Sequence, residues 1–187
     1  MNLLAYLRTQ AHANRLANHR LHESMRTLST AEYHAARTSF FPSLSETLDH
    51  ILAVDLSYLA ALNGEADMKR QWRDAPKCET LADLAQAQAA VDLRFAEHVD
   101  TLDEAELDDV IALQRSIGLI QHECRGHVIA HLLNHQVHHR GQAHAMLAGT
   151  SVEPPPLDEF LMPSEAHLRE ADMNAVGWSE ASLFGVA

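Results

Sequence analysis

Positive charge, glycine, cysteine and long apolar runs are all scarce in this 187-residue chain. Fourteen Lys and Arg stand against 26 Asp and Glu, a formal charge of -12. Binding phosphates requires a basic face, so this balance argues against a nucleic-acid partner and equally against an anionic membrane surface. No apolar run of about 18 residues exists, so no segment is expected to span a bilayer. Arg8 and its polar neighbours interrupt the N-terminal stretch before a signal-peptide core can form. The two cysteines, Cys78 and Cys124, form no CxxC unit, which argues against a disulfide framework and points to a reducing, cytoplasmic setting. Also missing are a GxSxG turn, a P-loop, a Rossmann glycine pattern and carboxylates paired at a useful helical spacing.

Apolar residues are plentiful, at 47%, and 21% of the chain is charged, so a packed core is expected. The length suits one domain over 1–187, and no internal repeat is visible. From Leu4 to Leu28 the residues Leu4, Leu7, Ala11, Asn14, Asn18, Leu21, Met25 and Leu28 recur at spacings of three and four, a helical face carrying two amides. After a loop with Phe40, Phe41 and Pro42, Ser43 and Glu46 suggest a capping box. It opens a second helix over Leu44–Leu62, stopped at Asn63-Gly64, with Leu44, Leu48, Ile51, Asp55 and Leu59 on one stripe. Glu65 to Lys77 reads as a polar connection. Thr80 caps a third helix over Leu81–Leu102, with Gln88 among its inward residues. Val110 to Ile120, after the acidic linker Asp103–Asp109, alternates enough to suggest an extended segment. The fourth helix runs from Arg125 to Leu147 and stops at Gly149.

The expected fold is therefore all-α, a four-helix bundle over about residues 1–149. A C-terminal extension, 150–187, begins with the extended run Pro154-Pro155-Pro156. It continues with a short amphipathic helix over Ser164–Val176, and Trp178, Leu183 and Phe184 offer apolar anchors.

Histidine is the residue in excess: 14 in all, seven of them between His122 and His144. With His135 as the reference direction, His139 lies about 40° to one side on a helix, and His131 and His138 about 40° and 60° to the other. Val128, Leu132 and Met146 share that side, which makes it the expected inward face, with Arg140 and His144 pointing away. Two imidazoles at i and i+4 stand one turn apart and can share one metal ion. A single inward histidine is ordinarily a hydrogen-bonded core residue, but burying several imidazoles without a partner is costly. Spacing alone leaves the pairs 127/131, 131/135 and 135/139 equally open. A third ligand has to come from another helix, and His50 is the histidine elsewhere that sits mid-helix in an apolar run. His12, His19, His22, His34, His98, His122 and His167 are expected at the surface or at caps, and Asn14 and Asn18 as satisfied structural amides.

The string NHQVHHRGQ at 134–142 resembles the signature of the DinB/YfiT-like family of metal-binding four-helix bundles. SLSETLDHILAVDLSYLAALNG at 43–64, NRL at 14–16 and the tail PPPLDEFL with LREADMNAVGW resemble further parts of the same family. The resemblance implies one histidine from the second helix and an HxxxH pair from the fourth as ligands of a divalent metal: His50, His135 and His139. His127 and His131 are additional and leave open a fourth nitrogen. The resemblance also implies a homodimer, and thiol-dependent transferases and isomerases among the relatives.

Three neutral imidazoles leave an ion its full charge and at least one open position, the arrangement of catalytic sites, whereas structural zinc is usually closed by four ligands. Such a centre can activate a water or an incoming thiol at neutral pH. Zinc or nickel suits the donor set, and iron, manganese, cobalt or copper is permitted. The expected function is a cytoplasmic metal-dependent enzyme of thiol-transferase or hydrolase type acting on a small molecule, with a low-molecular-weight thiol as a candidate partner. The alternatives are a non-catalytic, metal-stabilised stress protein and a small-ligand-binding module. Acid–base help falls to His131, His138 or Asp55, and the cysteines are read as inert.

Overall fold

Asn2, Ser43 and Thr80 start three long helices in the same way: each side chain accepts a backbone N–H from one turn in, of Ala5, Glu46 and Asp83. A computed structural model describes residues 2–65, 74–75, 77–116, 118–158 and 162–184. The helices are α1 (Leu3–Ser24), α2 (Thr30–His34), α3 (Leu44–Leu62), α4 (Leu81–Thr101), α5 (Arg125–Leu147), α6 (Ala166–Ala175) and α7 (Glu180–Phe184). The short α2 was not foreseen; Ser29 and Glu32 cap it with a reciprocal box. Gly64, at φ 67°, stops the chain after α3 as its sequence suggests. Much of the connection from Glu65 to Lys77 lies outside the described residues.

α1 packs against α4 and α5, and α3 packs against the same two, so the four long helices form a ring with α1 diagonal to α3. Leucines such as Leu7, Leu21, Leu48, Leu52, Leu59, Leu84 and Leu147 fill the middle. Val110–Ser116 (β1) and Leu119–Cys124 (β2) form an antiparallel hairpin, which turns at Gly118 with φ 76°. Ile111 and Leu113 are buried, as period-two alternation requires of a ribbon lying on a bundle.

The inward direction of α5 differs from the expected one by about 90°. Ile129, Leu132, Leu133, Gln136, His139, Arg140, Ala143, Met146 and Leu147 are buried, an arc centred near Gln136 and Ala143. Arg140, expected to point away, is buried. His135 sits half-buried at the border facing α3, and His127, His131 and His138 lie beyond it, more exposed. Counting Ile129, Leu133 and Leu147 with the nearer apolar residues turns the face in this direction; the histidines alone misplace it.

All four helices send polar groups into one buried layer. Arg140 Nη1 donates to Asn14 Oδ1 at 2.6 Å and to Asn18 Oδ1 at 2.9 Å. Asn18 Nδ2 donates to both Asp92 oxygens, and Gln88 Nε2 bridges Asp92 and Asp55. Gln136 Nε2 donates to the same Asp55 oxygen. Burial pushes Asp92 up to about 6, raises Asp55 well above its usual range and lowers Arg140 to about 10. Asn14 and Asn18 are thus satisfied structural amides, and Asp55 serves the layer.

The C-terminal extension straps onto α1. Met173 packs with Ala13, Leu16 and Ala17, so the apolar Leu16 is covered by its own chain. Arg20 holds Asp172, and Arg169 holds Glu180. His144 Nε2 bonds the Pro155 carbonyl at 2.9 Å. Trp178 meets His12 edge-on at 4.1 Å and lies under the Arg15 guanidinium at 4.2 Å. His12 and His22 are buried, against the surface position expected of them: His12 bonds Asp100 at 2.9 Å beneath Trp178, and burial lowers His22 to about 4. The side chains of Leu183 and Phe184 lie outside the described residues. Trp178→Ala is expected to lower stability by about 2 kcal/mol and to speed proteolysis within 150–184. Unchanged cleavage there, compared by limited proteolysis, would remove the anchoring role.

Candidate metal centre

Ser43 fixes the start of α3, and the register from that cap places His50 on the side facing α5, half-buried. On α5, His135 and His139 stand one turn apart on the border facing α3. The three imidazoles meet there. His50 Nε2 and His135 Nε2 are 3.0 Å apart, so one donates its proton to the other's lone pair. The ring centroids of His50 and His139 are 4.5 Å apart, and those of His135 and His139 4.4 Å. One ligand nitrogen from each residue lies within 4.8 Å of the other two.

His139 Nδ1 donates to Gln142 Oε1 at 2.8 Å, the tautomer that turns its Nε2 lone pair towards the other two rings. Phe41, from the loop before α3, lies against His50 at 4.3 Å and His139 at 5.6 Å and closes one side. His135 Nδ1 is buried without a hydrogen-bond partner among the described residues, so its ring is held by packing and by the bond to His50. Burial, with His139 nearby, lowers His50 to about 4, and burial with the neighbouring histidines lowers His135 to about 3. His139 is lowered by burial and partly restored by Gln142. All three rings are therefore neutral at pH 7, the state that ligates metal.

The donor set fits a divalent ion. Nitrogens bound tetrahedrally at about 2.0–2.1 Å stand about 3.3 Å apart, close to the 3.0 Å between His50 and His135. His131 does not join them; its ring lies 5.4 Å from that of Tyr58. His127 and His138 are also outside the cluster, which among the described residues consists of His50, His135 and His139. The spacing had left the register open, and the geometry brings His135 and His139 together with His50.

The sequence places Gln142 about 20° from His135 on the helix and Phe41 in the preceding loop but assigns neither a role, although a glutamine three residues after a ligand histidine is a legible signal on a helix. Cys78 is buried, with its thiol raised by burial, and Cys124 is half-buried immediately before α5. Gln142→Leu is expected to weaken metal affinity by about 10- to 100-fold by releasing His139. Competition with a chelator checks this, and equal affinity would deny Gln142 its role.

The DinB family profile matches residues 3–173. Protein DinB of Bacillus subtilis (strain 168) is 26% identical over 152 residues, covering 76% of this chain and 84% of that protein. The crystal structure of a DinB-like protein from Bacillus cereus superposes with a TM-score of 0.58 at 17% identity, covering 75% of this chain and 89% of the other. At that identity the likeness concerns the fold.

Proposed function

Because this chain belongs to the DinB family, we propose that it binds one divalent metal ion through His50, His135 and His139 and uses it to activate a thiol or water against a small-molecule substrate. The observation that carries this reading is the convergence of three imidazoles from two helices, with ligand nitrogens within 4.8 Å of one another. Zinc or nickel suits the all-nitrogen set, with iron, manganese, cobalt or copper permitted. Such an ion supplies Lewis acidity that makes a nucleophile available at neutral pH.

The chain's own residues prepare the site. Burial keeps His50 and His135 unprotonated, Gln142 orients His139, and Phe41 excludes water from one side. His50 and His135 are only half-buried, which leaves the centre reachable from outside. No helix among the described residues is long and apolar enough to cross a membrane. A cytoplasmic setting and a small thiol as co-substrate belong to the same proposal.

Metal analysis of protein purified without an affinity tag, followed by a thiol-plus-electrophile screen, tests it. One ion per chain with thiol-dependent turnover supports the enzyme. One ion per chain without turnover leaves the metal-stabilised, non-catalytic reading. A homodimer is also proposed: Leu3 and Tyr6 remain 56% and 48% exposed on α1. Sedimentation showing a single 20.8 kDa species at micromolar concentration would overturn the dimer.

A further inference from the structure

Two histidines of the α5 string, His127 and His131, take no part in the cluster. They line a cavity under the hairpin instead. Strand alternation puts Ile111 and Leu113 on one face of β1, the register sets Glu123 opposite Ile111 and Gln121 opposite Leu113, and Arg115, at the register shift between Gln114 and Ser116, reaches the same cavity. That face meets α3 and the start of α5 and borders an open cleft of about 230 Å3, room for about eight waters at roughly 30 Å3 each.

Tyr58, Leu113 and Val128, all buried, supply a largely apolar floor. Above it stand Arg115, Gln121 and Glu123 from the hairpin and His127 and His131 from α5. The Arg115 guanidinium donates to the Tyr58 hydroxyl, which leaves that hydroxyl's own proton free to be offered to a ligand. One guanidinium and one carboxylate share this small space. A lone anion there meets Glu123 and a lone cation meets Arg115, so a molecule carrying both signs is the best complement. The cavity also lies along the α3–α5 groove of the histidine cluster. His131 is one turn, about 6 Å, from His135, and Tyr58 lies about 12 Å along α3 from His50.

We propose that the hairpin cavity is a substrate subsite for a small zwitterion of amino-acid or dipeptide type. Its carboxylate lies on Arg115 and the Tyr58 hydroxyl, its ammonium on Glu123, and a short aliphatic portion on Leu113 and Val128. The far end of the ligand then points along the groove to His135. That last direction rests on the metal-centre reading; the charge pairing at the hairpin does not.

The test titrates the full chain, metal-loaded and chelator-treated, with L-methionine and with glycyl-L-leucine, followed by amide NMR and calorimetry. At least one zwitterion is expected to bind and to shift hairpin residues together with His127 and His131. Arg115→Met and Glu123→Gln should each weaken binding about tenfold or more, the loss of one charged hydrogen bond. The deaminated acid and the decarboxylated amine of L-methionine, each with one charge, should bind weaker by a similar factor. Absence of binding by both zwitterions at millimolar concentration overturns the subsite. So does equal binding of the singly charged analogues, or indifference to Glu123→Gln. Zwitterion binding by protein that takes up no metal upholds the subsite while the metal reading fails; metal uptake without zwitterion binding does the reverse.

Discussion

Replacing His135 with alanine is expected to abolish stoichiometric metal binding, while His144→Ala leaves it intact. His135 stands between the other two rings, with its Nε2 3.0 Å from His50 Nε2 and its centroid 4.4 Å from that of His139. Structural zinc sites gain about 10–16 kcal/mol from their full ligand set, so one ligand is worth about 3–4 kcal/mol, or a few hundred- to a thousandfold in affinity. For a site at the weaker end of that range, with a dissociation constant near about 50 nM, such a loss raises it to about 10–40 µM and leaves the site largely empty at micromolar protein. His144 occupies the same helix but bonds the Pro155 carbonyl of the C-terminal strap, so its loss affects strap stability and spares the ion. Because His135 is half-buried at a helix border, its truncation leaves the core intact, and circular dichroism verifies the fold of both variants. Metal retained one-to-one by His135→Ala, or lost by His144→Ala, would move the centre elsewhere on α5. His50→Ala should match His135→Ala; if it does not, α3 contributes no ligand.

The helices were legible because their ends are written in short-range chemistry: Ser43 and Thr80 as caps, and Gly64 as a stop. The histidine cluster was only half legible. Helical spacing made an HxxxH pair visible on α5, yet three pairs fitted equally, and family resemblance chose 135/139 before the geometry did. What was misread follows from treating histidines as core. Two of the four inward candidates, His131 and His138, are exposed, and the true inward arc runs through Gln136 and Arg140. The buried layer was present in outline, since Asn14, Asn18, Asp55 and Gln88 all fell on apolar stripes. Two buried acids need a cation, and Arg140 on the facing helix supplies it. Surface placement of His12 failed for a different reason: its neighbour, Trp178, is 166 residues away along the chain, and no local pattern reports a strap.

Metal affinity is expected to fall only gently from pH 7.5 to about 5 and then steeply, which is lower than free imidazole chemistry suggests. An unperturbed histidine titrates near 6.5, so an unshielded site would begin losing its ion there. In the folded chain His50 titrates near 4 and His135 near 3, because burial disfavours their charged forms. Protons therefore compete with the ion at His50 and His135 only below about pH 5, where these two rings together approach a hundredfold per pH unit, while His139, lowered by burial, adds at most one proton above that. The stability of metal-free protein follows a different course. These depressed values, with His22 near 4, mean that the unfolded chain binds protons the folded chain refuses. Their contribution is complete above about pH 6.5 and is lost as pH falls towards 4. Asp92 and Asp55 oppose it: their raised folded values give stability that is present at low pH and lost as pH rises through about 6 for Asp92. The two sets overlap, so the acid loss of chelator-treated protein should be shallower than the histidines alone dictate. The carboxylates are common to both forms, and the difference in melting temperature with and without metal isolates the histidine centre. A thousandfold fall in affinity between pH 6.5 and 5.5 would show that the rings are not shielded. Equal melting temperatures at pH 7.5, at verified occupancy, would uncouple the ion from folding altogether.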